Sequence, residues 1–291
     1  MKPFRTQLPP HRRRHVRRTF DARVQAEWSR YGGDPRRILL RTLRERFLRQ
    51  HLKGSGGILV ELGPGPGRFT PTLRRSTRKR VVALDLSREA LRAARRRAPE
   101  KRGLARVDWV QGAGEHLPLR SRSVDTVVVL GNIVSFAALD GPLLLKELGR
   151  VVKPGGLLVA DFPSPAASAQ EFLYMGSRRR FLRRVLRRPK YYFLDQVLAT
   201  GYQPLAPARM ALWEFRFYTA AEARKELARV GFRTVDVMSV APISAHQDRI
   251  AAIAHREKRA WATLLRVEEQ VGRRPGVLET GHGFVVAAIR H

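Results

Sequence analysis

The chain has no cysteine among its 291 residues. It therefore has no disulfide, thiolate metal site, iron–sulfur cluster or cysteine nucleophile to work with. A sequence without thiols is compatible with a reducing cytoplasm, which is the expected location. No run of eighteen apolar residues is present, so no membrane span is expected. The basic N-terminus is not followed by an apolar segment, so a secretory signal is not expected either. Lysine is scarce, at nine of 57 basic residues, and acids number only 25, so arginine carries a formal net charge of +32. That excess suits an anionic partner such as RNA, DNA, a lipid surface or an acidic substrate, and equally suits a compositional arginine bias on solvated helix faces. With 43% hydrophobic residues the chain can still build a real core.

The positive charge is concentrated in two segments. Residues 1–20, with HRRRHVRR at 11–18, contain no acid before Asp21 and no strong apolar period, and read as a flexible basic arm. His11 and His15 share helical spacing, but without a third ligand they make no metal site, and no metal is expected. The second segment is SRRRFLRRVLRRPKYYF, 177–193. Its Phe181, Leu182, Val185 and Leu186 recur at helical spacing among arginines 178–188 until Pro189 ends the run. Such a helix can lie on a membrane or a nucleic-acid backbone, or can cover the core.

Between these segments, short β-branched runs alternate with helical patterns. The strands read at 58–62, 81–85, 106–111, 125–130 and 156–162, and the helices at 68–76, 87–98 and 142–152. Near-continuous apolar strands joined by helices imply a parallel sheet buried on both faces, hence an α/β, doubly wound fold. The rhythm breaks after 163 and resumes with a capping box at Thr219–Glu222. A strand at 234–240, one long helix from Asp248 to Val271 and a last strand at 283–289 complete a seven-stranded, mostly parallel sheet. The implied units are a basic arm and N-terminal helices (1–54), a binding core (55–163), an inserted basic and aromatic lid (164–212) and the rest of the core (213–291).

The loop GPGPG places glycines at 63, 65 and 67. This spacing matches neither the dinucleotide fingerprint, whose third glycine would fall on Arg68, nor the Walker loop. Pro64 and Pro66 cannot donate a backbone N–H to a phosphate. Glu61, just upstream, is poor company for a phosphate but good company for an ammonium. Asp85, at the end of the second strand, can accept two ribose hydroxyls. A ligand joining an amino acid to a ribose and a base meets these constraints, and S-adenosyl-L-methionine is such a ligand.

The sequence resembles the class I S-adenosylmethionine-dependent methyltransferases, particularly the branch with quinone-biosynthesis enzymes. VELGPGPGRF, VVALDLS, VQGAGEHLPLRSRSVDTVVV, ELGRVVKPGGLLVADF and FYTAAEARKELARVGF are similar to successive motifs of that family, in order, over roughly 55–163 and 213–290. The resemblance implies a Rossmann-like methyltransferase fold in which Gly63, Gly65 and Gly67 admit the methionine portion and Glu61 positions its amino group. It also implies that Asp85 takes the ribose hydroxyls and Leu86 lies against the adenine. Gly114 and its neighbours would meet the adenine edge, and Asn132 would end the fourth strand near the transferred methyl. The family commonly has an acid at the position of Ala113, which cannot accept from the adenine amino group, so recognition there passes to backbone groups or Glu115.

Methyl transfer needs an aligned nucleophile, and a hydroxyl or ammonium acceptor also needs a base. His116, His246 and His282 are candidates, each with a plain structural alternative. The missing cysteines exclude nucleobase-carbon methylation through a thiolate. Ile133-Val134-Ser135 after Asn132 is not the motif of base-amine methylation. The leading expectation is a small-molecule methyl acceptor, anionic or lipid-like. An RNA methyltransferase gripping its substrate through 11–18 and 178–188, and a non-catalytic basic RNA-binding protein, are the alternatives.

Overall fold

The computed structural model of the protein describes residues 10–29, 33–52, 57–78, 80–99, 104–176, 192–203 and 214–291. The arginine-rich stretch 178–188 lies outside these residues.

Two N-terminal helices come first, α1 (Pro10–Ser29) and α2 (Pro35–His51). The core follows as β1 (Ile58–Leu62), α3 (Thr70–Ser76), β2 (Arg80–Asp85), α4 (Arg88–Arg97), β3 (Val107–Gln111) and β4 (Val124–Val129). It continues through α5 (Ile133–Phe136), α6 (Gly141–Val151) and β5 (Val152–Phe162). The described part of the insertion holds α7 (Pro165–Gly176), α8 (Tyr192–Thr200) and β6 (Tyr202–Gln203), which pairs with β7 (Phe215–Arg216). The chain ends with α9 (Ala220–Arg229), β8 (Phe232–Ser239), α10 (Asp248–Arg256), α11 (Lys258–Gly272) and β9 (Phe284–Arg290).

Seven strands form one sheet in the order β3-β2-β1-β4-β5-β9-β8. All neighbours pair in parallel except β9, which runs antiparallel to both β5 and β8. The apolar runs of the sequence thus become central strands covered on both faces, where alternate residues enter different cores. Val60, Val127, Val129 and Leu158 pack with α6 and α9 on one face. Leu59, Val81, Val128 and Val159 pack with α2, Leu73 of α3, Ala251 of α10 and Leu265 of α11 on the other. Glu61 shares the face of Leu59, which sends its carboxylate under the glycine loop toward α3.

The helix starts follow their local chemistry. Asp34 caps α2, Ser87 caps α4 through its Oγ, and Thr219 and Glu222 form the reciprocal capping box at α9. Two expectations fail. From Pro10 onward the supposed flexible arm is a helix, because arginine is a good helix former and the segment carries a narrow stripe, Val16, Phe20 and Val24, for which the core supplies a partner. Phe20 meets Phe136 edge-on at 5.4 Å between ring centroids. The single helix expected over 248–271 breaks at Glu257, whose extended backbone (φ −122°, ψ 122°) opens α11. At 1.5 Å per residue a straight helix there would run about 36 Å and leave the core behind. The break lets both halves pack on α2.

Candidate active site

One cavity of about 230 Å³ lies at the carboxyl ends of β1, β2 and β4, where an open α/β sheet holds its ligands. Its floor is the glycine loop, with Leu62, Gly63, Pro64, Gly65 and Pro66 in the wall. Gly65 has φ +52°, and a Cβ built there would meet nothing within 4 Å, so its bare backbone faces open space. Gly67 is different. It does not line the cavity, and a Cβ on it would stand 3.0 Å from Cβ and 3.1 Å from Cα of Ala94. Its missing side chain therefore serves close packing of the loop on α4 rather than the approach of a ligand.

Asp85 lies in the wall beside the loop. Its Oδ2 accepts the Gly65 N–H at 2.9 Å and its Oδ1 accepts the Ser87 N–H at 2.8 Å. Burial pushes its carboxyl up to about 6 against the lowering effect of these bonds, and the nearby Asp21 carboxylate adds to the rise. Leu86 also lines the wall, followed by Gly112, Ala113, Gly114 and Glu115 from the loop after β3. A Cβ on Gly114 would come within 2.9 Å of Leu144 Cδ1, so a larger residue would crowd that end. Ala113 spends its carbonyl on the His116 N–H at 3.1 Å.

Glu61 is 3% exposed and sits outside the cavity wall. The Thr70 hydroxyl donates to its Oε2 at 2.6 Å, while Oε1 is buried with no hydrogen-bond partner. Burial pushes the carboxyl up to about 8; the Thr70 bond opposes that rise and the charge of Asp85 adds to it. An unpaired, buried carboxyl oxygen beneath the loop suits a cation brought by a ligand.

The opposite end of the cavity is built by β4, β5 and α2. Asn132 lines it in the left-handed conformation (φ 63°) and donates its backbone N–H to Asp161 Oδ1 at 2.8 Å. Arg44 Nε donates to Asp161 Oδ2 at 2.9 Å, and both partners of this buried pair line the cavity. Neither Arg44 nor Asp161 stood out in the sequence. Arg41, one helical turn before Arg44, also reaches the wall. The roof is α1, whose Val16, Phe20, Val24 and Glu27 project into the cavity at helical spacing. Asp21 fastens this roof by accepting the Ser87 hydroxyl at 2.5 Å, and Arg97 of α4 stacks over Trp28 at 4.3 Å. The described residues of the insertion add no wall residue; Glu171 of α7 instead pairs with Arg36.

None of the three candidate histidines lines this cavity. His116 is exposed on the far side of its turn. His282 Nδ1 lies 3.4 Å from Arg44, behind the wall, and burial together with Arg44 and Arg36 holds its pKa well below the usual value. His246 is 3.5 Å from Glu171, and burial lowers its pKa as well. The imidazoles were singled out for their chemistry, but the fold packs His246 and His282 beside Arg36 and Arg44 of α2 and leaves His116 on the surface.

Residues 60–160 match the family described as a methyltransferase domain. The ubiquinone/menaquinone biosynthesis C-methyltransferase of Rubrivivax gelatinosus is 33% identical over 156 residues, 53% of this chain and 59% of that protein. The trans-aconitate 2-methyltransferase of Azoarcus sp. is 35% identical over 106 residues, 36% of this chain and 38% of that protein. The chain thus spans 59% or less of the length of these two relatives. Among solved structures, the methyltransferase complexed with the Trm112 methyltransferase activator of Haloferax volcanii superposes with a TM-score of 0.56 at 18% identity, covering 93% of this chain and 97% of that one. At that identity the likeness is one of fold. Residues 60–160 of this chain are thus similar to the methyltransferase-domain family, and its fold is the Rossmann-like one of solved methyltransferase structures.

Proposed function

We propose that the chain transfers the methyl group of S-adenosylmethionine to a small-molecule acceptor. The observation that carries this reading is a single cavity running from Asp85 and the 112–115 loop, past Gly63 and Gly65, to Asn132 and Asp161. A cofactor laid along it would set its ribose hydroxyls on Asp85, its adenine against Leu86 and the Ala113–Glu115 backbone, and its methionine part on Gly63 and Gly65. Glu61 would balance the ammonium through the loop. The bound cofactor supplies an electrophilic methyl carbon, and the protein's task is orientation and exclusion of water. Val16, Phe20 and Val24 close the top against solvent. The Arg44–Asp161 pair holds the Asn132 turn at the end where an acceptor would enter.

Relatives named for ubiquinone/menaquinone biosynthesis and for trans-aconitate support a small acceptor. Arg41, whose Nε pairs with Glu45 of the same helix at 3.8 Å, brings a guanidinium to the cavity wall, and that positive charge supports an anionic acceptor. Calorimetry tests the cofactor. Asp85→Ala removes two charge-assisted hydrogen bonds to the ribose, each worth about 1.5–3 kcal/mol, so binding should weaken at least about a hundredfold. Wild-type protein that gives neither heat nor a melting shift with the cofactor would refute the proposal. Labelled methyl offered with fractionated cell extract then reports the acceptor. Label that survives nuclease supports a small molecule, and label lost with nuclease moves the assignment to RNA held by the arginine-rich segments.

A further inference from the structure

We propose that the outer face of α10 docks the protein on an anionic lipid membrane. The proposal is independent of methyl transfer and starts from an inverted helix. An amphipathic surface helix normally buries its large apolar residues. In α10 the buried residues are Ala251 and Ala254, while Ile253 is 63% exposed and Ile250 is 36% exposed. The alanines let α10 pack closely on α2 and α11, and the isoleucines are left on the water side. Ile243, in the turn just before the helix, is 41% exposed as well. That turn is firmly held, because the buried Glu268 of α11 accepts the N–H groups of Ile243 at 3.1 Å and Ser244 at 2.9 Å.

Charge selects the occupant. Ile253 lies beside Arg249, four residues before it, and Arg256, three after it, both exposed; the exposed Glu257 follows one turn on, and Lys258 and Arg259 come directly after, also exposed. Aliphatic side chains flanked by a surplus of basic over acidic residues match a bilayer interface, where isoleucine enters the acyl boundary and arginine meets the headgroup phosphates. A second copy is a poor fit, because each chain carries a net charge of +32 and a symmetric contact would set arginine against arginine. Nucleic acid is a poor fit too, since isoleucine offers no ring for a base to stack on. No helix among the described residues is long and apolar enough to cross a membrane.

Co-sedimentation of the full chain with vesicles of phosphatidylcholine, with and without phosphatidylserine, tests the assignment. Wild-type protein should bind the serine-containing vesicles. Ile253→Ser changes no charge and touches an exposed position, so its melting temperature should match the wild type while its vesicle affinity falls about tenfold. Val235→Ser, at an exposed apolar residue of β8, should leave binding unchanged and serves as the control. Vesicle binding that is equal in Ile253→Ser and wild type, or absent in both, overturns the proposal, because charge alone would then explain any attachment. A wild-type dimer that Ile253→Ser turns into monomer gives the face to a second copy and overturns it as well. Cofactor binding by the same variant, measured in parallel, keeps a failure here distinct from a failure of the methyltransferase reading.

Discussion

Replacing Glu61 by glutamine should strengthen the ligand-free fold and weaken the site at the same time. The carboxyl is buried beneath the glycine loop, and burial has moved it from an ordinary value of 4.5 to about 8. Between those two pH values the folded chain holds about one proton more than the unfolded chain. Folding stability from this group is therefore complete below pH 4.5 and is lost as pH rises toward 8. At pH 7 the loss covers roughly 2.5 pH units, or about 3 kcal/mol at 1.36 kcal/mol per unit. Glutamine keeps an oxygen for the Thr70 hydroxyl and has no charge to desolvate. Glu61→Gln should thus melt about 5 °C above the wild type at pH 7, and the two should converge near pH 4. Asp85 also titrates in the folded state, so the difference between variant and wild type, rather than either curve alone, isolates Glu61.

The cofactor measurement should run the other way. An ammonium beneath the loop would stabilise the ionised carboxylate, and a group with a pKa of about 8 is about 90% protonated at pH 7. Binding at pH 7 should therefore release close to one proton, which calorimetry reads as a heat that changes with the ionisation enthalpy of the buffer. Affinity should climb with pH up to about 8 and then level off. Glu61→Gln should bind more weakly and release no proton from this position. Stability curves that run parallel in variant and wild type across this range, together with buffer-independent heats in both, would refute the argument from burial.

Two further substitutions test how the cavity is held together. Gly67→Val forces a β-branched side chain to φ +89° and against Ala94, so it should cost about 2 kcal/mol or more in urea denaturation and loosen the loop on α4. Arg44→Met leaves the Asp161 carboxylate buried without its cation and should cost about 3–5 kcal/mol. Adding Asp161→Asn, which keeps an acceptor for the Asn132 N–H, should recover most of that loss in the same denaturation experiment.

Most of the sheet, and the residues that line the glycine-loop end of the cavity, were legible in the sequence, because their signals are local. An apolar run with turn residues on both sides is a buried strand whatever lies beyond it, and an acid at a strand end beside a glycine loop has few other uses. The capping box at Thr219–Glu222 is local in the same sense. The roof was not legible, because Val16, Phe20 and Val24, spaced four apart in an arginine-rich helix, make a stripe only when something stands opposite them. Here that partner includes Phe136, more than a hundred residues away. The break at Glu257 escaped for a related reason. The apolar pattern on either side of it is in phase with one continuous helix, and only the finite size of the core forbids that helix.

The two acids at the strand ends show the limit most clearly. Glu61 and Asp161 present the same signal, an acid set in the last turns of an apolar strand, and by sequence either one could await a ligand. Their fates differ because α2 delivers Arg44 to Asp161, whereas nothing in the described chain delivers a cation to Glu61. A buried carboxylate with an internal partner is part of the frame, and one that keeps an empty oxygen is free to respond to what binds. This difference is tertiary. It predicts that Asp161→Asn should alter stability with little change in proton release on cofactor binding, while Glu61→Gln should alter both.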